Sequence, residues 1–385
     1  MKRTIKIIKV IGIVISSILI IAFLFILINS KLGNSKINVE INGFGTRLLA
    51  VRFTSIDRTE QHFKFAFCFN DKINIRIPIQ KTSEVTIKPI IETIKRKIFR
   101  SKNISFHLDP KSEIVIKGKS KDTSIEYDII KGNKLSLQQN ELRKELLPYY
   151  EKESRLINES WVLRKTNPEK SNRITEHFDS LRFYIVAPLR TEWAKKHLEY
   201  ELTPVYFLES HIPQDTAIKY LNLLSENARK SEYGQILEKT ASGWITTQKG
   251  NIAPNFELYS SLNKPFALEN LKGKYVVLDF WGTWCGPCMV TMPKMKEYYE
   301  KCNDKFEFVG IACKDKKENW EKAIKDNQLR WIHLLNDESK NDISTLYGVT
   351  SYPTKFIIDR DGKIIGKYTG EENDFYKKID EILKQ

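Results

Sequence analysis

The pattern of hydrophobic and polar positions changes several times along the chain, and it begins with an uncharged, largely apolar run over residues 10–28. This run is apolar on every face of a helix, whereas a helix of a water-soluble protein usually keeps a polar side. Its nineteen residues, at about 1.5 Å each, reach roughly 28 Å, close to the hydrocarbon thickness of a bilayer. The run therefore predicts a transmembrane anchor.

The residues that flank this run predict its orientation and its fate. Basic side chains precede it within residues 1–9, and positive charge favours the cytoplasmic side. Residues 25–28 lead straight into residues 29–31, without the small-x-small exit site of a cleaved signal peptide or a cysteine for lipid attachment. We expect an uncleaved single-pass anchor in a bacterial cell membrane, with residues 1–9 in the cytoplasm and everything after residue 30 on the periplasmic side.

Residues 31–133 alternate between apolar and polar positions in short runs. These runs are rich in β-branched and aromatic residues and are separated by Gly, Asn, Asp and Pro, which is typical of strands and turns. The pattern predicts a β-rich domain, either an antiparallel sandwich or a small barrel. Cys68 falls within one alternating run, where a free thiol packs like a small apolar residue.

Residues 134–240 change to apolar spacings of three and four, which predict helices. His177, His197 and His211 lack the spacing of metal ligands, so we assign them to the surface or to packing. The glycines of residues 241–253 then predict a linker to a domain over residues 254–385.

The candidate chemistry is concentrated at one strand-to-helix junction near the C-terminus. Tyr275–Trp281 is a continuous apolar strand with one acid, and it leads into a Cys-Gly-Pro-Cys motif at residues 285–288 and then a helical stretch. Unsatisfied backbone N–H groups at a helix N-terminus favour a thiolate, which makes Cys285 the candidate nucleophile. Cys288 is close enough to attack the resulting mixed disulfide and release the substrate. The motif therefore predicts a redox-active pair.

Zinc is the main alternative for a C-x-x-C motif, and the remaining ligand-type residues do not support it. A tetrahedral site needs two further ligands, usually a second C-x-x-C or a His pair. Cys302 and Cys313 are single, 14 and 25 residues after Cys288, and His333 also stands alone. We therefore expect Cys302 and Cys313 to be structural, and no metal or separate cofactor.

Composition and charge narrow the function classes. Hydrophobic residues make up 41% and charged residues 29% of the 385, which excludes a disordered chain, and five cysteines are too few for a disulfide-stapled scaffold. Of the 63 Lys+Arg and 48 Asp+Glu, residues 251–385 hold 21 of each, so the net charge of +15 lies in residues 1–250. It is spread there without an RNA-binding or helix-turn-helix signature. We expect a basic surface that faces an anionic membrane, and no nucleic acid partner.

The motif DFWGTWCGPC at residues 279–288 carries a specific resemblance. With it, residues 251–385 resemble the thioredoxin-fold, membrane-anchored thiol–disulfide oxidoreductases of the ResA/TlpA type, in the AhpC/TSA–redoxin superfamily. Pro293 is similar to the proline that kinks the family's active-site helix, and residues 351–354 (SYPT) resemble the loop whose cis-proline faces the disulfide. The resemblance implies an α/β thioredoxin fold. It also implies substrate contacts around the disulfide, at Trp284, Gly286, Pro287, Tyr352 and Pro353.

Asp279 stands six residues before Cys285, where thioredoxins keep a buried acid. A carboxyl group in an apolar strand has a raised pKa, so it can accept the proton of Cys288. The alternative is a strand-edge carboxylate in water. If Asp279 is buried, Asp279→Asn is expected to leave the stability level or raise it. Some ResA-type proteins have a glutamate three residues after the second cysteine, and this chain has Thr291 at that position. The role of that glutamate and the substrate specificity of that subgroup therefore do not carry over to this chain.

The resemblance implies an enzyme that reduces disulfides in exported proteins, apocytochromes among them, with electrons from a membrane thiol carrier. A thiol peroxidase is one alternative because peroxiredoxins share the fold, but neither Cys285 nor Cys288 follows their P-x-x-x-[ST]-x-x-C pattern. A second alternative is a binding module that carries a thioredoxin domain. Residues 105–118 resemble the N-terminal β-domain that precedes thioredoxin modules in many bacterial envelope proteins.

Overall fold

The computed structural model describes residues 20–90, 102–209, 212–302, 305–336, 342–370 and 373–384. The chain divides into two compact units, Met1–Leu202 and Thr203–Gln385. Residues 20–29 are helical, while residues 1–9, most of the predicted anchor over residues 10–28, and His211 lie outside the described residues. Among the helices that are described, none combines the length and the apolar character needed to cross a bilayer. The transmembrane anchor therefore stays a prediction.

The first unit contains two four-stranded sheets. Their orders are β4-β1-β7-β8 and β3-β2-β5-β6. Alternate apolar side chains of both sheets meet in one buried core, which confirms the predicted β-rich domain and gives it the form of a sandwich. The strands are β1 Ser35–Asn42, β2 Arg47–Ser55, β3 Gln61–Cys68, β4 Lys72–Ile77, β5 Ser83–Pro89, β6 Ile104–Leu108, β7 Glu113–Ser120 and β8 Ile125–Lys131.

One strand pair differs from the predicted antiparallel arrangement. β1 and β7 run parallel, with Ile37 opposite Ile114 and Val39 opposite Ile116. Parallel neighbours need a long crossover connection, and the five strands between β1 and β7 provide it. The alternation of apolar residues fixes which face of a strand is buried, but it does not fix the direction of its neighbour.

Helices follow the sandwich and extend into the second unit. The long helix Lys134–Leu163 is capped at its N-terminus by Asn133, whose side chain accepts a hydrogen bond from the backbone N–H of Ser136. The predicted helical region is thus present, but the boundary between the two units falls within it, after Leu202. The other helical segments up to residue 246 are Pro168–Leu181, Arg182–Val186 (a π-helical turn), Ala187–Lys196, Thr203–Tyr206, Gln214–Leu223, Glu226–Lys230 and Glu232–Thr246.

The structure corrects the linker predicted for residues 241–253. The helix Glu232–Thr246 runs through its first half, and the indole N–H of Trp244 donates to the carbonyl of Gly348 over 2.8 Å. A Cβ on Gly243 would lie 2.5 Å from the backbone nitrogen of Gly348. Gly243 therefore serves close backbone packing rather than flexibility.

The second unit carries a hairpin and a five-stranded sheet of order β13-β12-β11-β14-β15. β11, β12 and β13 are parallel, whereas β14 and β15 are antiparallel to their neighbours. Buried cores cover both faces of this sheet, which confirms the thioredoxin fold. The strands are β9 Glu257–Tyr259, β10 Pro265–Ala267, β11 Tyr275–Trp281, β12 Phe306–Ala312, β13 Ile332–Leu335, β14 Thr354–Ile358 and β15 Ile364–Thr369. The remaining helical segments are Leu268–Leu271 (3₁₀), Gly286–Cys302, Lys317–Asp326, Ile343–Leu346 and Asn373–Leu383.

Candidate active site

The two motif cysteines lie where β11 passes into the helix Gly286–Cys302, which we call the active-site helix. Cys285 and Cys288 form a disulfide, with their Cα atoms 5.3 Å apart. The backbone N–H of Cys288, in the first turn of the helix, donates to Sγ of Cys285 over 3.2 Å. In the reduced protein the same N–H group would stabilise negative charge on that sulfur, as expected for a nucleophile at a helix N-terminus.

A clamp from the end of β12 holds the loop that precedes Cys285. Asp315 accepts hydrogen bonds from both the backbone N–H and the hydroxyl of Thr283, over 2.6 and 2.7 Å. The backbone of Cys313 donates to the carbonyl of Trp281 and accepts from the indole N–H of Trp284. Asp315 was not predicted from the sequence, although it is the first acid after the apolar strand β12.

Loss of the Asp315 clamp is expected to weaken both stability and turnover. Asp315→Ala removes the two hydrogen bonds from Thr283 and a third from the backbone N–H of Lys316, so we expect the free energy of unfolding to fall by about 1–3 kcal/mol. We also expect disulfide reduction to slow roughly 10- to 100-fold, because the loop that positions Cys285 loses its support. Denaturant unfolding and an insulin reduction assay measure the two effects. Asp361→Ala, at an exposed turn carboxylate, is the control, and equal effects of the two substitutions would contradict the clamp.

Apolar side chains form an exposed surface around the disulfide. Trp284 is 52% exposed, and its ring lies 5.4 Å from that of Tyr352 in an edge-on arrangement. Gly286 and Pro287 are exposed between the two cysteines. Tyr352 packs against the core that contains both cysteines, and its peptide bond to Pro353 is cis, as the resemblance implied. The structure thus gathers the predicted contact residues at one site, while their role in binding substrate stays a prediction.

Asp279 lies in the interior beneath the active-site helix. It is only 4% exposed, so the alternative of a solvated strand-edge carboxylate is wrong. Val277 and Trp281, two positions to either side on β11, belong to the core that contains both cysteines, so Asp279 shares their face. Burial raises the pKa of this carboxyl group, and the nearby Lys355 ammonium opposes that rise. A carboxyl group with a raised pKa on this face is suited to exchange a proton with a cysteine.

Lys355 is the partner of Asp279, and it was not predicted from the sequence. β14 places Lys355 directly opposite Asp279, and its Nζ lies 3.5 Å from Oδ1 with both side chains buried. Oδ1 accepts no hydrogen bond from the described part of the chain, so the contact is ionic. The usable signal was a lysine inside the otherwise apolar run TKFII of β14.

This ion pair corrects the stability expected for Asp279→Asn. The expectation of an unchanged or higher stability assumed a carboxyl group without a partner. Removal of Asp279 would instead leave the Lys355 ammonium buried without its counter-charge, which is costly. Asp279→Asn is therefore expected to destabilise the protein.

The remaining cysteines lie outside this chemistry. Cys68, Cys302 and Cys313 are buried and take no part in the Cys285–Cys288 disulfide. Burial raises the pKa of the Cys68 and Cys302 thiols to about 11, which keeps them protonated and poorly reactive near neutral pH. Thr291, at the position of the glutamate in some ResA-type proteins, donates its hydroxyl to the carbonyl of Pro287. Across the described ranges, no three His, Cys, Asp or Glu side chains converge as a metal site would require.

A thioredoxin fold with a disulfide at the N-terminus of its active-site helix places this chain in a class of proteins: those whose paired cysteines alternate between a dithiol and a disulfide. Residues 273–364 match a family described as "Thioredoxin-like". The thiol-disulfide oxidoreductase ResA of Bacillus thuringiensis subsp. konkukian is 35% identical over 148 residues, which are 37% of this chain and 83% of ResA. The thioredoxin-like protein YneN of Bacillus subtilis is 34% identical over 33% of this chain and 74% of its own.

The chain belongs to the ResA family of thiol–disulfide oxidoreductases, and it is an enzyme of that type. A solved thiol:disulfide interchange protein from Chlorobium tepidum matches 35% of this chain and 97% of its own, at 27% identity and a TM-score of 0.32. The two sequence relatives match 37% and 33% of the chain. They therefore assign the redox chemistry and leave the role of the sandwich open.

Proposed function

We propose that the protein reduces disulfides in exported proteins and cycles between the dithiol and disulfide forms of Cys285 and Cys288. The observation that carries the proposal is the hydrogen bond from the N–H of Cys288 to Sγ of Cys285. It places a backbone dipole where the thiolate of the reduced enzyme would form. The buried Asp279 on the same face of the sheet supplies a group that can take up a proton.

The reaction moves two electrons to the substrate in two exchanges. The Cys285 thiolate attacks one sulfur of a substrate disulfide, forms a mixed disulfide and expels the other sulfur as a thiolate. Cys288 then gives its proton to Asp279 and attacks Sγ of Cys285. This forms the intramolecular disulfide and releases the second substrate sulfur as a thiolate. Both substrate cysteines are then reduced, and the Cys285–Cys288 pair is oxidised.

Single-turnover exchange tests the direction of this reaction. The prereduced full chain is mixed with a protein that contains an accessible disulfide, and free thiols on both proteins are counted after acid quenching. We expect the substrate to gain two thiols for each enzyme that loses two. An enzyme that stays reduced with this substrate, yet in its oxidised form oxidises a dithiol protein, would contradict the proposal.

The apolar run over residues 10–28 is the basis for the proposed cellular location. We propose a single-pass bacterial membrane protein whose two folded units lie outside the cytoplasm, on the periplasmic side. A membrane thiol carrier would restore the reduced enzyme, and oxidised apocytochromes are among the substrates that the family resemblance suggests. The proposal includes no nucleic acid partner, because the net positive charge lacks a nucleic-acid-binding signature.

Membrane fractionation and reporter fusions test the anchor. The full chain is expected to sediment with membranes, and a reporter fused after residue 40 is expected to be active only in its exported form. Replacing Ile15 and Leu19 with arginine puts charges into the apolar run and should release the chain from the membrane fraction. A soluble product that begins near residue 30 would instead identify the run as a cleaved signal.

A further inference from the structure

Four phenylalanines project from the outer face of β3, an edge strand of the sandwich, and from the residue that follows it. Because side chains alternate along a strand, they lie on one side, whereas Ala66 and Cys68 point into the core. Three of them are 43–57% exposed. We call this surface the phenylalanine face; it consists of Phe63, Phe65, Phe67 and Phe69.

The helix over residues 20–29 packs against one end of the phenylalanine face. The ring of Phe23 lies 4.8 Å from that of Phe67 and 6.3 Å from that of Phe69. An open groove of about 490 Å³ remains between the helix and β3, with only apolar lining residues, namely Ile21, Ala22, Phe25, Ile26 and Phe65. The outward side of the helix is also apolar and 49–66% exposed, at Ile20, Ile21, Leu24, Phe25 and Ile28. The helix and the phenylalanine face thus form one continuous apolar surface.

The edge of β3 is poorly suited to pairing with a strand of another protein. Lys64 points inward from the middle of the strand, and its ammonium donates to the carbonyls of Leu32 and Arg76. Burial lowers the pKa of Lys64 to about 8. An inward-pointing charged residue on an edge strand is a recognised protection against edge-to-edge pairing. The apolar surface is therefore exposed for another kind of occupant.

Two observations favour a lipid bilayer as that occupant. The helix over residues 20–29 contains the last nine residues of the apolar run 10–28, so the proposed anchor continues directly into this surface. Basic residues also lie on the same face of the sheet: Arg52 is opposite Phe63, and Lys88 is aligned with Phe65 through Ala50. Apolar side chains bordered by positive charge suit the boundary between acyl chains and anionic headgroups.

We propose that the phenylalanine face lies on the membrane and inserts its exposed rings at the boundary between the acyl chains and the lipid headgroups. This inference rests on the proposed membrane anchoring, and it assigns the sandwich a lipid-docking surface. The sandwich would then be held against the bilayer, whereas a tether alone would let it move freely above the surface.

Lipid quenching of a fluorescent label tests the proposal. Thr54→Cys places a label on the outer face of β2, in register with the start of β3, and leaves all four phenylalanines intact. Lys117→Cys places the control label on an exposed position of β7 in the other sheet. The other native cysteines are buried and Cys285 is bonded to Cys288, so labelling of the oxidised chain is selective. The full chain is reconstituted into phosphatidylcholine–phosphatidylglycerol vesicles with nitroxide-labelled headgroups.

We expect the Thr54 label to lose most of its emission to the nitroxide lipids and the Lys117 label to lose almost none. Phe63→Ser/Phe65→Ser, made in the Thr54-labelled chain, should restore the emission. A chain that does not float with the vesicles would overturn both the anchoring and this inference. A chain that floats, but whose two labels are quenched equally or not at all, would overturn this inference alone. In detergent micelles, a second copy of the chain could instead cover the phenylalanine face and shield the Thr54 label from quenching. That result would also overturn this inference alone.

Discussion

Cys285→Ser is expected to abolish disulfide reduction, because the substituted chain has no thiolate at the N-terminus of the active-site helix. Serine preserves the size of the side chain, but its hydroxyl is not a nucleophile for a disulfide near neutral pH. The N–H of Cys288 donates to Sγ of Cys285, so the helix N-terminus stabilises a thiolate on Cys285, and we expect Cys288 not to attack a substrate in its place. Insulin reduction followed by turbidity measures the loss, which should reach the rate of the uncatalysed control.

Cys288→Ser is the matched substitution, and it is expected to fail at a different step. Cys285 still attacks, but no second thiol resolves the mixed disulfide, so a covalent adduct with the substrate should accumulate. Non-reducing electrophoresis detects this adduct, and added dithiothreitol should release it. An adduct on Cys285→Ser and none on Cys288→Ser would reverse the roles of the two cysteines.

Asp279→Asn is expected to slow resolution on the order of 10- to 1000-fold while the first attack changes little. The asparagine keeps the shape of the side chain but cannot accept the proton of Cys288. The first attack depends on the backbone N–H groups at the helix N-terminus, which the substitution leaves in place. Stopped-flow measurement near pH 7 separates the two steps. An unchanged resolution rate would mean that the proton leaves by another route.

Stability measurements separate this role from a merely structural one. Asp279→Asn breaks a buried ion pair by removing one partner, so we expect a loss of about 3–5 kcal/mol in the free energy of unfolding. Asp279→Asn/Lys355→Met removes both charges, and most of that stability should return. Resolution should stay slow in this double variant, because stability does not replace the proton acceptor. Recovery of the resolution rate together with the stability would show that Asp279 acts only through the fold.

Lys355→Met should move the pH dependence of resolution in a defined direction. Burial raises the pKa of Asp279, and Lys355 is the nearby charge that lowers it. Loss of the ammonium therefore raises the pKa of Asp279 further, and the rise of the resolution rate with pH should shift to higher pH.

The free energy of unfolding of the unsubstituted protein should fall with rising pH through the titration of Asp279, whereas the resolution rate should rise. As pH rises above about 3.8, Asp279 ionises in the unfolded chain but not yet in the folded one, so the free energy of unfolding falls up to the folded pKa.

The parts of the site that are local in the sequence could be predicted, and the parts that depend on distant contacts could not. The Cys-Gly-Pro-Cys spacing at a strand-to-helix junction fixes the positions of both sulfurs, and the apolar surroundings of Asp279 indicate that it is buried. The contact with Lys355 depends on the register between β11 and β14, which no local pattern specifies. The hydrogen bonds from Thr283 to Asp315 likewise join two loops that lie far apart in the sequence.

The glycines of the predicted linker show a second limit of local patterns. A glycine indicates either a flexible segment or a close approach of two backbones, and the sequence alone does not separate the two. Gly243 is of the second kind, because the backbone of Gly348 leaves no room for a Cβ. The sequence likewise predicts alternating strands over residues 31–133, but the exposure of the β3 phenylalanines depends on which elements cover the outer face of the sheet, and no local pattern specifies that.

The reduction potential of the Cys285–Cys288 couple tests the central claim, a protein-disulfide reductase, most directly. The full chain is equilibrated in dithiothreitol or glutathione redox buffers, and the fraction of free Cys285 and Cys288 is measured by thiol alkylation after acid quenching. We predict a potential near that of thioredoxin, about −270 mV, at which the dithiol reduces most accessible disulfides. A potential near about −120 mV, typical of a strong oxidant, would contradict the account.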